Sequence, residues 1–194
     1  VLTPWQLLQS TKRPQSSDDL CFVWRYVVRR EFLQQYQIAF NPAVRFAEDM
    51  IFVMEMFAHA RTIYLTGEAL YNYRTDNQYS IMHDKRYNPY MENSLSIVYD
   101  TKKKIILNNH WDDLTPFSFD LANRTVKNYS RMLMANRKAN GEPKEKYIRE
   151  VLGLPMMQDA MHVIGYRNVF DSWKEYVVYL CMKFCFMPVL KHYF

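Results

Sequence analysis

Glycine is scarce: the chain carries 4 in 194 residues. Rossmann and P-loop domains need Gly-rich phosphate turns, so a complete domain of either kind is not expected. Cysteine is scarce too, and odd in number. Cys21, Cys181 and Cys185 have no disulfide-framework spacing and read as free thiols of a reducing, cytoplasmic compartment. Cys181 and Cys185 stand at i and i+4 on one expected helix face, as two small buried apolar residues. His59, His83, His110, His162 and His192 are scattered, and none sits at ligand spacing from another His or from Cys, so no zinc site is expected. Long hydrophobic runs are missing as well. The longest, residues 176–190, is interrupted by Lys183 and closed near Pro188. A membrane-crossing helix needs about 20 apolar residues. No charged-then-apolar leader is present, and the chain opens on Val1 without an initiator methionine. That opening reads as a processed chain, or as one that starts inside a longer gene.

What is present is ordinary globular material. Apolar residues are 49% and charged residues 23%, which excludes a disordered chain. The length fits one domain, or one and a half. Lys and Arg exceed Asp and Glu by 25 to 20, and the resulting +5 favours anionic partners: a nucleotide, a polyanionic polymer or a lipid surface. Aromatics at 16% are enough to fill a large core or to line a sugar or base site.

Residues 20–28 are rich in β-branched and aromatic types and predict a strand; 62–66 and 69–74 predict two more, joined at Gly67-Glu68. Arg29 to Gln37 predicts a short helix, and Asn41-Pro42 a turn. Glu48 to Arg61 carries the strongest helical pattern, acidic at its start and basic at its end. Beyond Pro89 the texture is helical. Helices are expected over Met91–Asn108, Phe117–Asn136, Lys144–Leu152 and Asp171–Met187, the last with Asp171 as N-cap. The expected class is therefore mixed α/β, with an α/β part over 1–88 and a helical region over 89–194. Lys102-Lys103-Lys104 reads as a solvated helix face, and no nucleic-acid module is present.

The run Arg45-Phe46-Ala47-Glu48-Asp49 places two adjacent carboxylates at a helix start. On periodicity alone, the plainer reading is two acids favoured by the helix dipole. The chemical reading is a general base, which needs a pKa lifted toward the working pH. Burial and the like charge of Glu48 would raise Asp49, whereas the helix N-terminus would lower it. The sequence leaves that balance open.

The order of residues carries more. Val23-Trp24, Arg29-Arg30-Glu31-Phe32-Leu33, Phe46-Ala47-Glu48-Asp49, Phe52, Leu70-Tyr71-Asn72-Tyr73-Arg74 and Ser80-Ile81 together resemble the second half of family 2 glycosyltransferases. These are inverting enzymes of the GT-A fold found in capsule and lipopolysaccharide assembly. The resemblance covers residues 20–82. It implies an incomplete GT-A-like sheet portion followed by a variable helical tail. It implies Asp49 as the base that deprotonates an acceptor hydroxyl, and Glu48 as the residue that orients the acceptor or Asp49. Trp24, Arg45, Arg74 and Ser80 would bind substrate, with Trp24 offering an apolar face to a sugar and Arg74 closing over the donor diphosphate. The family pattern has Gly before the Glu-Asp pair; here Ala47 stands there, which changes the backbone at that point.

The resemblance also implies what is absent. Such enzymes hold a divalent cation, Mg or Mn, on the nucleotide-sugar donor through an Asp-x-Asp motif. Asp18-Asp19 and Asp112-Asp113 are adjacent pairs and not that motif. The expectation is an acceptor-side portion, inactive alone, whose acceptor is a saccharide or a lipid-linked saccharide. The apolar helix within 171–194, with Trp173, Tyr176, Tyr179, Lys183 and Lys191, covers the core on the plainer reading. On the other it lies on a membrane surface, at the inner face of the membrane. Unpaired strand edges would favour a homo-oligomer. The rival reading is a non-catalytic helical module that binds a partner or a membrane.

Overall fold

The computed structural model of the chain describes residues 1–9, 20, 22–72, 74, 76, 89–111, 117–140, 145–167, 170 and 172–194. Among them the order is α1 (Pro4–Gln9), a 3-10 turn (Val23–Arg25), α2 (Arg30–Gln35), α3 (Glu48–His59), α4 (Pro89–Asn108) and α5 (Phe117–Asn140). It continues through α6 (Glu145–Gly153), α7 (Pro155–Ile164), α8 (Trp173–Lys183) and α9 (Met187–Tyr193).

The body is organised on α5. Phe117 and Leu121, then Ala122, Val126, Tyr129 and Leu133, recur at spacings of three and four, and all are buried. The most extensive helix contact is with α7, and α4 also packs on α5. From α7 come Met157, Ala160, Met161 and Ile164, again at helical spacing; from α4 comes Ile106. Polar bonds tie the same elements. Lys103 Nζ lies 2.6 Å from an Asp159 carboxylate oxygen, and the Tyr99 hydroxyl donates to the same carboxylate. Burial pushes Asp159 up, but these two donors outweigh it and leave the group below the usual carboxylate range.

The end of α7 is closed from α8. The Tyr179 hydroxyl donates to the pair of carbonyls at Gly165 (2.8 Å) and Met161 (3.2 Å), and Lys183 Nζ donates to Met161 at 2.8 Å. These carbonyls belong to the helix end, where Met161 also accepts the Gly165 N–H at 3.1 Å. Burial, then Tyr176 and Tyr166, push the Tyr179 hydroxyl up to about 12, so it stays a donor at ordinary pH. Gly165 turns the chain away with φ 64°.

The α/β class expected from sequence is overturned. Among the described residues there is no strand and no sheet. The one ladder-like contact is an isolated antiparallel bridge, in which Leu2 and Ile63 exchange N–H···O bonds of 2.8 and 2.6 Å. The described part of 20–28 forms the 3-10 turn and irregular chain, and 62–66 and the described part of 69–74 form no strand, with Ile63 alone making the bridge to Leu2. The physical reason lies in α3. Val23, Tyr26, Val28 and Ile63 each set an apolar side chain against the core that includes α3. Tyr26 meets the Phe57 ring edge-on at 5.8 Å. Isolated anchors of this kind use the same β-branched and aromatic types as a strand without making a ladder.

Smaller corrections follow the same logic. The last helix is two: α8 stops at Lys183, and Cys185 takes φ 53° before α9 begins. Cys181 and Cys185 therefore do not share a helix face. The N-cap of α8 is Ser172, whose Oγ accepts the Glu175 N–H; Asp171 lies outside the described residues, as does Cys21. Lys102 is buried beside Met50 Sδ at 3.4 Å, and Lys103 pairs with Asp159, so only Lys104 of that basic run is exposed. The helices expected at Glu48, Met91, Phe117 and Lys144 are all present within a few residues. Among the described residues no helix is long and apolar enough to cross a membrane.

If α8 closes α7 as described, Tyr179→Phe takes the hydroxyl donor from the Gly165 carbonyl and one of the donors from that of Met161, which keeps Lys183 and the Gly165 N–H. Denaturant unfolding should show a loss of about 1–2 kcal/mol, with the packing of the ring retained.

Candidate functional site

The site begins with a pinned loop. Asn41 Oδ1 accepts the Ala43 N–H at 2.9 Å, and the Asn41 carbonyl accepts the Val44 N–H at 3.0 Å. The Arg45 N–H then donates to the buried Ser94 Oγ at 2.9 Å, tying the loop to α4. Val44, Ile51 and Val98 form a small buried cluster behind it, with Ala47 and Ile97 packed on its edge. The loop ends at Ala47, the N-cap of α3, in the left-handed region (φ 62°, ψ 25°) and without a side-chain cap. That conformation suits glycine and costs an alanine about 1–2 kcal/mol.

Ala47 turns the chain so that Glu48 and Asp49 open α3. Both are half-buried. Burial, then the neighbouring Glu48 charge, raise the Asp49 pKa; the Val23 N–H, donating to its carboxylate, pulls the other way and does not win. The opposing forces named from sequence are thus resolved toward a more basic carboxylate.

The donor Val23 belongs to the 3-10 turn that packs on α3, so Trp24 is held beside Asp49. Its ring is not a bare sugar platform. Phe22 stacks on it at 5.3 Å between centroids, and Tyr71 at 4.7 Å. The Arg25 guanidinium stands 5.0 Å from the Trp24 ring and 5.8 Å from that of Phe22. Two stretches far apart in sequence therefore meet through the stacking of Tyr71 on Trp24, the residue after the one whose N–H bonds Asp49.

The remaining expected residues fall differently. Arg45 is exposed, and its backbone N–H fixes the loop on Ser94. Arg74 forms an exposed fork with Asp76, at 3.3 and 3.2 Å. Ser80 lies outside the described residues, as do the Asp18-Asp19 and Asp112-Asp113 pairs. Tyr71, Phe22 and Arg25 belong with Trp24 although sequence reasoning did not single them out. The signal available for Tyr71 was its place in the Leu70-Tyr71-Asn72 segment. Among the described residues no group of three or more His, Cys, Asp or Glu side chains could hold a metal. These residues therefore do not fit a divalent cation, and no step below passes through one.

Comparison with known proteins adds a relationship. The chain is 31% identical over 164 residues to a Bacillus subtilis (strain 168) protein named "Uncharacterized glycosyltransferase EpsJ". The match takes in 83% of this chain and 46% of the relative, so the chain spans about half that protein's length. No protein-family profile matches, and no solved structure matches. The chain is thus a distant relative of a protein named as a glycosyltransferase.

Two stability measurements check the geometry. Ala47→Gly relieves the left-handed strain while loosening the unfolded chain, so a net gain of about 0.5–1 kcal/mol is expected in thermal unfolding. Asp49 is raised when folded, so its ionised form disfavours the folded state at neutral pH. That penalty fades as pH falls through the folded pKa, and it is gone below the unfolded one. Asp49→Asn keeps an oxygen for the Val23 N–H. It should melt above the wild type at pH 7, with the difference closing on acidification.

Proposed function

We propose that this chain is part of a glycosyltransferase and carries its acceptor-side machinery, with Asp49 as the general base. The carrying observation is the half-buried Asp49 carboxylate at the start of α3, bonded by the N–H of Val23, the residue before the Trp24 on which Phe22 and Tyr71 stack; burial and Glu48 push that carboxylate up. The relationship to a protein named as a glycosyltransferase supports the same reading.

In this mechanism an acceptor sugar hydroxyl gives its proton to an Asp49 carboxylate oxygen. The freed oxygen forms a bond to the anomeric carbon of the donor. The bond from that carbon to the nucleoside diphosphate breaks on the opposite face, so the configuration inverts. The electron pair leaves with the diphosphate. A half-buried carboxylate of raised basicity suits the first step, because proton transfer is most effective when the base titrates near the working pH. Glu48 serves twice, keeping Asp49 basic through its like charge and offering an acceptor to a second sugar hydroxyl. The outer, exposed ring of the column is Tyr71, and it presents the apolar face to a sugar that Trp24 was expected to give. The donor is a nucleotide-sugar and the acceptor a saccharide, free or lipid-linked. This reading gives the described residues the acceptor side alone.

The deciding experiment follows transfer of labelled sugar from nucleotide-sugar donors by the full-length protein. Asp49→Asn should slow transfer by about 10² or more while the helical circular dichroism signal stays unchanged. Near-normal turnover would remove Asp49 from the base role.

A further inference from the structure

Helix α8 is apolar on two opposite faces. Val178, Tyr179 and Met182 point into the core and are buried. Trp173, Val177, Leu180 and Phe184 recur at spacings of four, three and four residues, which lines them along the other side. Three of the four face solvent, with Trp173 69% exposed, Val177 41% and Phe184 64%, while Leu180 is half-buried against the core. Tyr166, 65% exposed, extends the stripe with its ring 6.3 Å from that of Phe184. Large apolar groups gathered in this way are uncommon on a surface that has no partner.

The charges around the stripe are sorted by sign. On the helical wheel Lys174 flanks it on one side and Lys183 on the other. Lys183 holds its ammonium 5.2 Å over the Tyr166 ring. The one acid of α8, Glu175, is exposed but lies opposite the stripe on the helical wheel, where it lines a surface pocket with Lys127 and Arg131. The outward face therefore combines a Trp, a Tyr, a Phe and two lysines with no acid from its own helix.

We infer that this face of α8 docks on an anionic lipid bilayer. Aromatic rings with a polar edge settle at the headgroup level, and the exposed Lys174 reaches from there to lipid phosphates, while Lys183, held on the Met161 carbonyl, adds its charge to the same face. Charge selects this occupant over a second copy of the chain. A two-fold pairing of the stripe on itself would bring Lys174 and Lys183 against the same lysines of the other copy. An anionic surface compensates both. The helix lies in the plane of the surface, since it is far too short to cross. This inference stands apart from the base assigned to Asp49, and either can fail without the other.

Removing 171–194 would be a poor test, because Tyr179, Met182, Leu190 and Phe194 sit in the core. Exposed single substitutions serve better. The 194-residue chain is floated with vesicles of equimolar phosphatidylcholine and phosphatidylglycerol, and with phosphatidylcholine alone. The wild type should float with the anionic vesicles, release at high salt and stay behind with the neutral ones. Trp173→Ala and Phe184→Ala should each weaken partition by about tenfold. Lys174→Glu should weaken it by about fivefold or more. Val27→Ala removes an apolar side chain that is fully exposed elsewhere and should change nothing. Circular dichroism confirms that each variant remains helical, and Lys174→Glu carries the test should the apolar variants unfold. Failure of the wild type to float with anionic vesicles overturns the inference. So does flotation that none of the three α8 variants weakens. A concentration-dependent dimer that Trp173→Ala abolishes, with no vesicle binding, would show that the face pairs with its own copy instead.

Discussion

The burial of one stripe along α5 is the constraint on which the rest depends. Phe117, Ala122, Val126, Tyr129 and Leu133 are removed entirely from solvent, and they can be so only with α4 and α7 laid against them. The large side chains among them each contribute about 1.5–3 kcal/mol of transfer free energy, more than a typical neutral hydrogen bond. The position of α4 then sets that of α3, through the Val44–Ile51–Val98 cluster and the bond from the Arg45 N–H to Ser94. A helical body thus holds the carboxylates at the start of α3 in place, without a sheet beneath them.

That route also explains how a helix N-terminus comes to carry a basic carboxylate. The dipole of α3 alone would hold Asp49 low. The loop before it removes the usual capping side chain and puts Ala47 in a conformation that an alanine resists. The 3-10 turn then covers part of the carboxylate, and Glu48 adds like charge. Strain and desolvation collect at one place, and the deep apolar core offsets their cost. Strained residues gather where a structure has chemical work to perform.

Much of this was legible in the sequence, and what was missed has definite causes. The periods of α3, α4, α5 and α6 were plain, because each has an apolar stripe at 3.6-residue spacing. The stripe Met156, Met157, Ala160, Met161 and Ile164 was equally regular, with Pro155 in its first turn, yet α7 was not anticipated. The Ser172–Glu175 spacing announced the start of α8, but Asp171 drew attention one residue too early. The strands failed for a deeper reason. Composition reports how well a side chain fits a half-buried surface, and Val23, Tyr26 and Ile63 fit such a surface on helices as well as in a sheet. At the site, the Glu-Asp pair was visible as a local motif. The stacking of Tyr71 on Trp24 was not, because contacts across nearly fifty residues leave no periodicity behind.

The weak amphipathicity of α8 is a case where a sequence signal conceals what it should reveal. A helix with one apolar face shows a clear stripe and reads as a cover for a core. A helix with two opposite apolar faces averages them away and reads as uniformly apolar, which invites a choice between core and membrane. The choice is a false one here. Val178, Tyr179 and Met182 fill the core while Trp173, Val177 and Phe184 remain outside. Tyr176 and Tyr179, which in sequence looked like interface aromatics, are tied inward by hydrogen bonds to the carbonyls of Tyr166 and Gly165. Those inward bonds fix the rotation of α8 about its axis, and that rotation alone decides which apolar residues are left to meet a second surface.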